Sequence, residues 1–307
     1  MGGIKLTYQE FTNVLSNEIA LRGNIKGDLI FNKTLKNNGV FCHNMVIKEA
    51  GTNISPSLRL DYFYDEYLGG RSLSDICECI ESVVNTQPDF SETDFSLSWK
   101  RVKDSIIYVV INRESNEEYL RDVPHIDFLD FSIVFKIDTV FLNIAGMISI
   151  TNEIMDVLGV GIGELTEAAK KNTPLLMPIK TLLLPDMIEE LCGGREHLPG
   201  DFPDVLVCTN EDKHYGASCI LYDDFSESID EFDVKDCYVI PSSVHEVLLI
   251  KDDGSDNRDC LEDMVRCVNE ETDLPETDFL SNRVYKFSEI KEALAAELYP
   301  AAGLSVV

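Results

Sequence analysis

Two short stretches carry side chains of the types that do acid–base or nucleophilic chemistry. Pro241-Ser242-Ser243-Val244-His245-Glu246 sets two hydroxyls beside an imidazole and a carboxylate, the parts of a nucleophile and its base. Asp122-Val123-Pro124-His125-Ile126-Asp127 places a histidine two residues before a carboxylate, so that on a strand both would project from one face, as metal ligands or as a base and its partner. Arg113 lies a few residues upstream and would supply a fixed cation.

Each stretch has a plainer reading. A serine nucleophile on a strained elbow needs glycine on both sides, and neither serine has one. Pro241-Ser242-Ser243 therefore reads as a turn between two strands, with proline setting φ and the hydroxyls serving local backbone. His245 then opens the following strand on the face of Val247 and Leu249, partly buried and hydrogen-bonded. A metal at His125 and Asp127 needs a second histidine, and His43, His197, His214 and His245 are all remote in sequence. The expectation is no metal and no cofactor, with His125 and Asp127 the only metal candidates and a capped turn around Pro124 the favoured reading. If the chain is an enzyme, Arg113, His125, Asp127 and His245 must converge from separate segments, because sites are built by geometry and not by sequence order.

Other motifs fail on spacing. Gly159, Gly161 and Gly163 follow a helix, with Asp156, Glu164 and Glu167 where phosphates would sit, and they read as a helix cap and the start of the next helix. In Lys251–Asp259 the glycine is third from Asp252, not sixth, and no glutamate stands at position twelve, so an EF-hand is excluded. Cys77 and Cys79 point to different helix faces, while Cys260 and Cys267 share one but have no partner pair at zinc spacing.

The elements that must position these residues can be read from periodicity. Thr7-x-x-Glu10 is a capping box opening an amphipathic helix over Tyr8, Phe11, Val14, Leu15 and Ile19. Two strands flank Asn37-Asn38-Gly39, whose last residue should take a positive φ. Leu58–Gly70 reads as a helix ending at glycine, and Ser72 caps another. Ile106–Asn112 is a buried strand, Ser115-x-x-Glu118 opens a short helix, and His125–Asp138 reads as one alternating strand with 141–150 as its return partner. Two helices follow Thr151 before Pro174 and Pro178 stop the run. Beyond residue 204 the pattern reads strand (205–209), strand (216–222), helix (225–232), then strand, strand and helix again, a ββα-ββα arrangement, with a last strand at Arg283–Phe287 and a terminal helix. The fold class is α+β, with mixed, mainly antiparallel sheets and helices packed on them, because clean βαβ alternation is absent. Polar stretches at 88–95 and 196–204 suggest three parts: 1–90, a helix/hairpin/helix module; 91–200, a central α+β region; and 201–307, an acidic α+β region.

Composition narrows function by exclusion. The net charge is −29, and from Asp201 onward 26 acidic and 8 basic residues give −18. That field repels phosphate backbones and anionic lipid, so nucleic-acid and membrane partners are not expected, and a basic protein surface is the partner it would favour. No apolar run is long enough to span a bilayer, the N-terminus lacks a secretory pattern, Leu6 stands where myristoylation wants Ser or Thr, and nine scattered cysteines suit a reducing cytoplasm.

Four segments together, 34–40 (TLKNNGV), 111–137 (INRESNEEYLRDVPHIDFLDFSIVFKI), 168–178 (AAKKNTPLLMP) and 238–250 (YVIPSSVHEVLLI), resemble a family of bacterial proteins catalogued as a domain of unknown function. The resemblance runs from Leu6 to Phe287. It implies a bacterial or mobile-element source and a cytoplasmic protein, and it transfers no catalytic residue. The family pattern carries Arg-Glu-Arg after Ile-Asn and a basic residue after Pro-His, where this chain has Arg113-Glu114-Ser115 and Ile126, departures that weaken an anion-binding role for that turn. The leading expectation is an acidic, non-enzymatic interaction protein. The alternative is a small-molecule enzyme, a hydrolase using His125, His245 and nearby carboxylates; an acidic mimic of nucleic acid stands last. Oligomeric state is not legible.

Overall fold

The computed structural model describes residues 5–48, 57–86, 97–142, 146–192, 205–229, 234–252, 254, 258–271 and 274–298. The chain divides into two compact units, Met1–Lys36 with Val40–Ser96, and Asn37–Gly39 with Leu97–Val307. The fold is α+β with three antiparallel sheets.

The first unit is built from α1 (Tyr8–Arg22), β1 (Asp28–Leu35), β2 (Phe41–Lys48), β3 (Ser57–Arg59), α2 (Leu60–Gly69) and α3 (Leu73–Asn85). The capping box forms as read: the Thr7 hydroxyl accepts from the Glu10 N–H while the Thr7 N–H donates to the Glu10 carboxylate at 2.8 Å. Such a cap contributes about 1 kcal/mol by satisfying donors that no helix turn can reach. Strands β1 and β2 pair in continuous register from Asp28↔Lys48 to Leu35↔Phe41, and β3 pairs with β2. Phe11, Leu15, Ile19, Met45, Ile47, Leu60, Ile76 and Ile80 make the core on which these helices and the sheet close.

The second unit contains α4 (Trp99–Val102), β4 (Ile106–Asn112), α5 (Glu117–Leu120), β5 (His125–Phe128), β6 (Phe131–Asp138), β7 (Met147–Ser149), α6 (Asn152–Leu158) and α7 (Ile162–Leu176). It continues with β8 (Ile179–Leu183), α8 (Leu184–Cys192), β9 (Val205–Asn210), β10 (Cys237–Ser243), β11 (Glu246–Lys251), α9 (Arg258–Glu271), β12 (Tyr285–Lys286) and α10 (Phe287–Leu298). One sheet runs β4-β6-β5 with β7 also on β6; the other runs β12-β10-β11-β9-β8. A single apolar cluster spans Val102 to Leu294 and takes in both sheets, so 91–200 and 201–307 contribute to one core. Gly39 has φ +72 and Asn38 φ +59, the left-handed pair expected of Asn-Gly.

Several elements differ from the sequence reading, each for a local reason. His125–Asp138 is two strands, because Leu129 takes φ +50 and Asp130 is tied down by Ser281 Oγ at 2.6 Å and the Tyr285 hydroxyl at 2.7 Å. Ser115 does not cap α5; its N–H instead donates to Asn112 Oδ1 at 2.8 Å. Helix α7 runs through Pro174 to Leu176, and Gly161, not Gly163, stands at its N-cap. Residues Gly216–Leu221 form a 3-10 helix, not a strand: all six are buried, and a run apolar on every side carries no period to separate the two. Of 225–232, read as a helix from the sequence, 225–228 are turns and 230–232 lie outside the described residues; with 216–221 in a 3-10 helix, the first ββα of the expected arrangement does not form. The second, β10-β11-α9, does.

Candidate functional site

The turn that splits β5 from β6 decides what the histidine–carboxylate pair faces. Antiparallel register sets His125 opposite Val134 and Asp127 opposite Ser132, so His125 and Asp127 keep a common face of the sheet. Above them the chain leaves β4 through Arg113 and a 3-10 turn at Glu114–Asn116 into α5. The result is a pocket of about 550 Å3 lined by Arg113, Glu114, Glu117, Leu120, Arg121, His125 and Asp127. Three of the four residues singled out from sequence therefore share one wall.

The imidazole orientation follows from its neighbours. His125 Nδ1 lies 2.9 Å from the Val123 carbonyl, which can only accept, so Nδ1 carries the hydrogen and the neutral ring keeps its lone pair on Nε2. That nitrogen sits 3.9 Å from Asp127 Oδ1, too far for a tight pair, while Asp127 Oδ1 takes a 2.6 Å hydrogen bond from the buried Ser132 hydroxyl. The His125 and Asp127 side chains are 32% and 43% exposed, open enough to meet a ligand. Among the described residues neither the Arg113 nor the Arg121 guanidinium makes an ion pair or hydrogen bond, and the same holds for the carboxylates of Glu114 and Glu117. Leu120, the apolar member, is buried.

His245 is not among the lining residues. It stands in the two-residue turn between β10 and β11, not in the strand, and Ser242 and Ser243 continue β10, where a register shift between Ile240 and Ser243 accommodates Pro241. Its Nδ1 accepts the Tyr215 N–H at 3.2 Å, so Nε2 carries the hydrogen and faces Asp278 Oδ1 at 3.4 Å. With both nitrogens engaged, the ring has no lone pair free for base chemistry. Ser243 is buried with its hydroxyl accepting the His245 N–H at 3.0 Å, and the Ser242 hydroxyl donates to Glu246 at 3.2 Å. These atoms brace a turn. His214 stacks on His245 at 5.5 Å between ring centres; burial, then the neighbouring His245 and Lys136 charges, push its pKa below the ordinary 6.5, against Asp278 and Asp212.

Among the described residues the tightest histidine–carboxylate pair lies in the first unit, and sequence reasoning missed it. His43 Nδ1 is 2.9 Å from Asp61 Oδ1 and the His43 N–H donates to Asp61 Oδ2 at 3.0 Å. The two are 18 residues apart, on β2 and α2, and only the packing of a helix end on a strand brings them together; Asp61 in the first turn of its helix was the one available signal. Burial raises the Asp61 carboxyl, but the His43 hydrogen bonds and charge, with Arg59, outweigh it and hold Asp61 below the ordinary 3.8. The Tyr8 ring packs against His43, tilted by 38° with ring centres 4.4 Å apart, and burial, then the Asp61 charge, push its hydroxyl up to about 12.

The remaining motifs resolve simply. Gly159 is a left-handed cap at φ +67. Asp252 accepts from Lys286 at 2.8 Å and from the Gly254 N–H at 2.9 Å, and part of that loop lies outside the described residues, as do the 88–95 and 196–204 boundaries. Among the described residues no group of three or more His, Cys, Asp or Glu is placed to hold a metal, no cysteine forms a disulfide, and no helix is long and apolar enough to cross a membrane.

Helix α9 presents the most distinctive outer face. Leu261 and Val265 turn inward against Tyr238 and Ile240, and Glu262 accepts the Val284 N–H at 3.1 Å. Met264 and Val268, three residues on from Leu261 and Val265, border that face and are 48% and 51% exposed; Cys260 and Cys267 are exposed further round, and Asp259, Asp263 (paired with Arg266 at 3.2 Å), Glu270 and Glu271 lie along this strip.

No curated protein and no solved structure matches the chain. A family model does, over residues 8–289, which is nearly the whole length and includes both units. The chain belongs to DUF5688, a family of unknown function.

Proposed function

We propose that the chain is an acidic interaction protein that binds a basic, amphipathic protein segment without turnover. The observation that carries this reading is the outer face of α9, where soft apolar side chains at 260, 264, 267 and 268 lie beside the carboxylates of 259, 263, 270 and 271. An i, i+4, i+7, i+8 strip of this kind fits the apolar side of a partner helix, and the carboxylates fit its cationic flank. The −18 carried from Asp201 onward adds long-range steering toward basic surfaces and against nucleic acid. A bacterial cytoplasm belongs to the proposal: the eight cysteines whose side chains are described form no disulfide, and five of them are buried as small apolar groups. The test uses a labelled helical peptide of leucine and lysine at heptad spacing, with a scrambled peptide of equal charge. Preferential binding of the amphipathic peptide, lost in a Met264→Ser, Val268→Ser variant, supports docking on α9; equal binding of both peptides removes it.

Hydrolysis of a small molecule is the second reading, favoured by the convergence of Arg113, His125 and Asp127 on one pocket. There the neutral His125 Nε2 would take a proton from an attacking water, and the guanidiniums would stabilise the oxyanion. His245 has no part in it. Turnover of a neutral ester that is abolished by His125→Gln tests this reading, and turnover unchanged by that substitution refutes it.

A further inference from the structure

The charges around the His125 pocket are too evenly opposed for a simple anion or cation site. Arg113, Glu117 and Arg121 recur at i, i+4 and i+8 along a run that is helical in dihedral angle except at Asn116, and Glu114 adjoins Arg113. Residues four apart on a helix have Cβ atoms about 5–6 Å apart, which brings Glu117 and Arg121 together at the two ends of α5, while Arg113 stands across the 3-10 turn from them. Asp127 and the Nε2 of His125 complete the wall on β5. With His125 neutral, two guanidiniums face three carboxylates; with it protonated, the lining balances. None of the four outer charges is compensated within the described residues, although the protein has carboxylates to spare for any arginine it needs to neutralise.

A phosphate or dicarboxylate would meet three like charges in the wall and the −29 field of the whole chain. A polyamine would meet two unpaired guanidiniums. A molecule with one pole of each sign and no net charge meets neither penalty, and its carboxylate can take the planar fork of an arginine. A volume of about 550 Å3 lies within the range of small-molecule sites, and the side of Leu120 supplies an apolar contact.

We propose that this pocket binds a small zwitterion, a free amino acid or short peptide, with its carboxylate on Arg113 and Arg121 and its ammonium on Glu114 and Glu117. The assignment is independent of docking on α9, and it names the ligand class for the pocket on which the hydrolytic reading rests, without requiring turnover.

Calorimetric titration of the full chain at low salt with three probes of nearly equal shape provides the test: alanyl-alanine, its N-acetyl form, which is only an anion, and its amide, which is only a cation. The unblocked dipeptide is expected to bind about tenfold more tightly than either capped form, since each cap deletes one charge-assisted contact. Arg113→Ala with Arg121→Ala, all on the surface, should bring the dipeptide down to its amide; Glu114→Gln with Glu117→Gln should bring it down to the N-acetyl form. Absence of heat with the dipeptide up to about 10 mM, equal affinity for all three probes, or a preference that survives in both double variants would overturn the proposal. Dipeptide binding with no product formed supports the proposal and counts against hydrolysis. Ester turnover without dipeptide binding overturns the proposal and leaves hydrolysis standing.

Discussion

Gly216→Ala is the substitution that most sharply tests how the His245 turn is held. A Cβ at this position would run into the His245 carbonyl oxygen and the Thr209 hydroxyl, and would come within 2.8 Å of the Thr209 Cα. Two of those three neighbours are backbone atoms and cannot rotate away. Overpacking a rigid site costs about 1–3 kcal/mol. The same methyl must also displace the Thr209 Oγ1 hydrogen bond to the His245 carbonyl, 2.8 Å long and set against a residue only 2% exposed, which adds about 1 kcal/mol. The expected loss is therefore about 3 kcal/mol. In urea unfolding followed by circular dichroism this lowers the midpoint by about 1 M at an m-value near 3 kcal/mol per M. The Tyr215 N–H to His245 bond should loosen with it, which a shifted His245 ring signal in NMR would report. A loss under about 1 kcal/mol would refute the reasoning, because it would mean that the β10–β11 turn is free to move away from Gly216.

Gly39→Ala works by another mechanism: its nearest neighbour, the Ser115 carbonyl oxygen, is at an ordinary 3.6 Å, so only the φ of +72 is strained and the loss should be about 1 kcal/mol in the same assay. Asp61 sits below its ordinary 3.8, so the folded chain holds fewer protons than the unfolded one; this stability is present above 3.8 and is lost as pH falls through the folded value. Asp61→Asn should accordingly flatten the acid limb of the stability profile, and an unchanged limb would show that the His43 pair is unimportant. For His214 the depressed pKa makes the unfolded chain the first to take a proton, so stability should fall as pH drops below 6.5, and His214→Gln should remove that part of the slope. Fluorophosphonate probes should leave Ser242 and Ser243 unmodified, since both hydroxyls are committed to the turn; stoichiometric labelling abolished by His245→Ala would contradict this.

What the sequence showed plainly were features written in neighbouring residues. Thr7 with Glu10 marks a helix start, and Asn38 with Gly39 marks a hairpin, because each signal acts within four residues. The pocket was half legible for the same reason: Arg113, His125 and Asp127 fall within fifteen residues of one another, although Glu117 and Arg121 belong to no motif that marks them. Leu129 in a left-handed turn has no sequence signature, since leucine is not a residue that favours it; the anchoring of Asp130 by Ser281 and Tyr285 comes from 150 residues away. The His43–Asp61 pair and the engagement of His245 by Tyr215 and Asp278 are likewise long-range, and periodicity carries no information about them.

Recognition by charge and an apolar strip is tested most directly by association kinetics. The on-rate of the leucine–lysine peptide should fall steeply as salt rises from about 0.1 to 1 M, where the screening length drops from about 10 to 3 Å. It should fall similarly at low salt in an Asp263→Asn, Glu270→Gln variant of α9, while the off-rate responds mainly to Met264→Ser with Val268→Ser. An on-rate indifferent both to salt and to the α9 carboxylates, or salt-sensitive binding of duplex DNA by the intact chain, would contradict it.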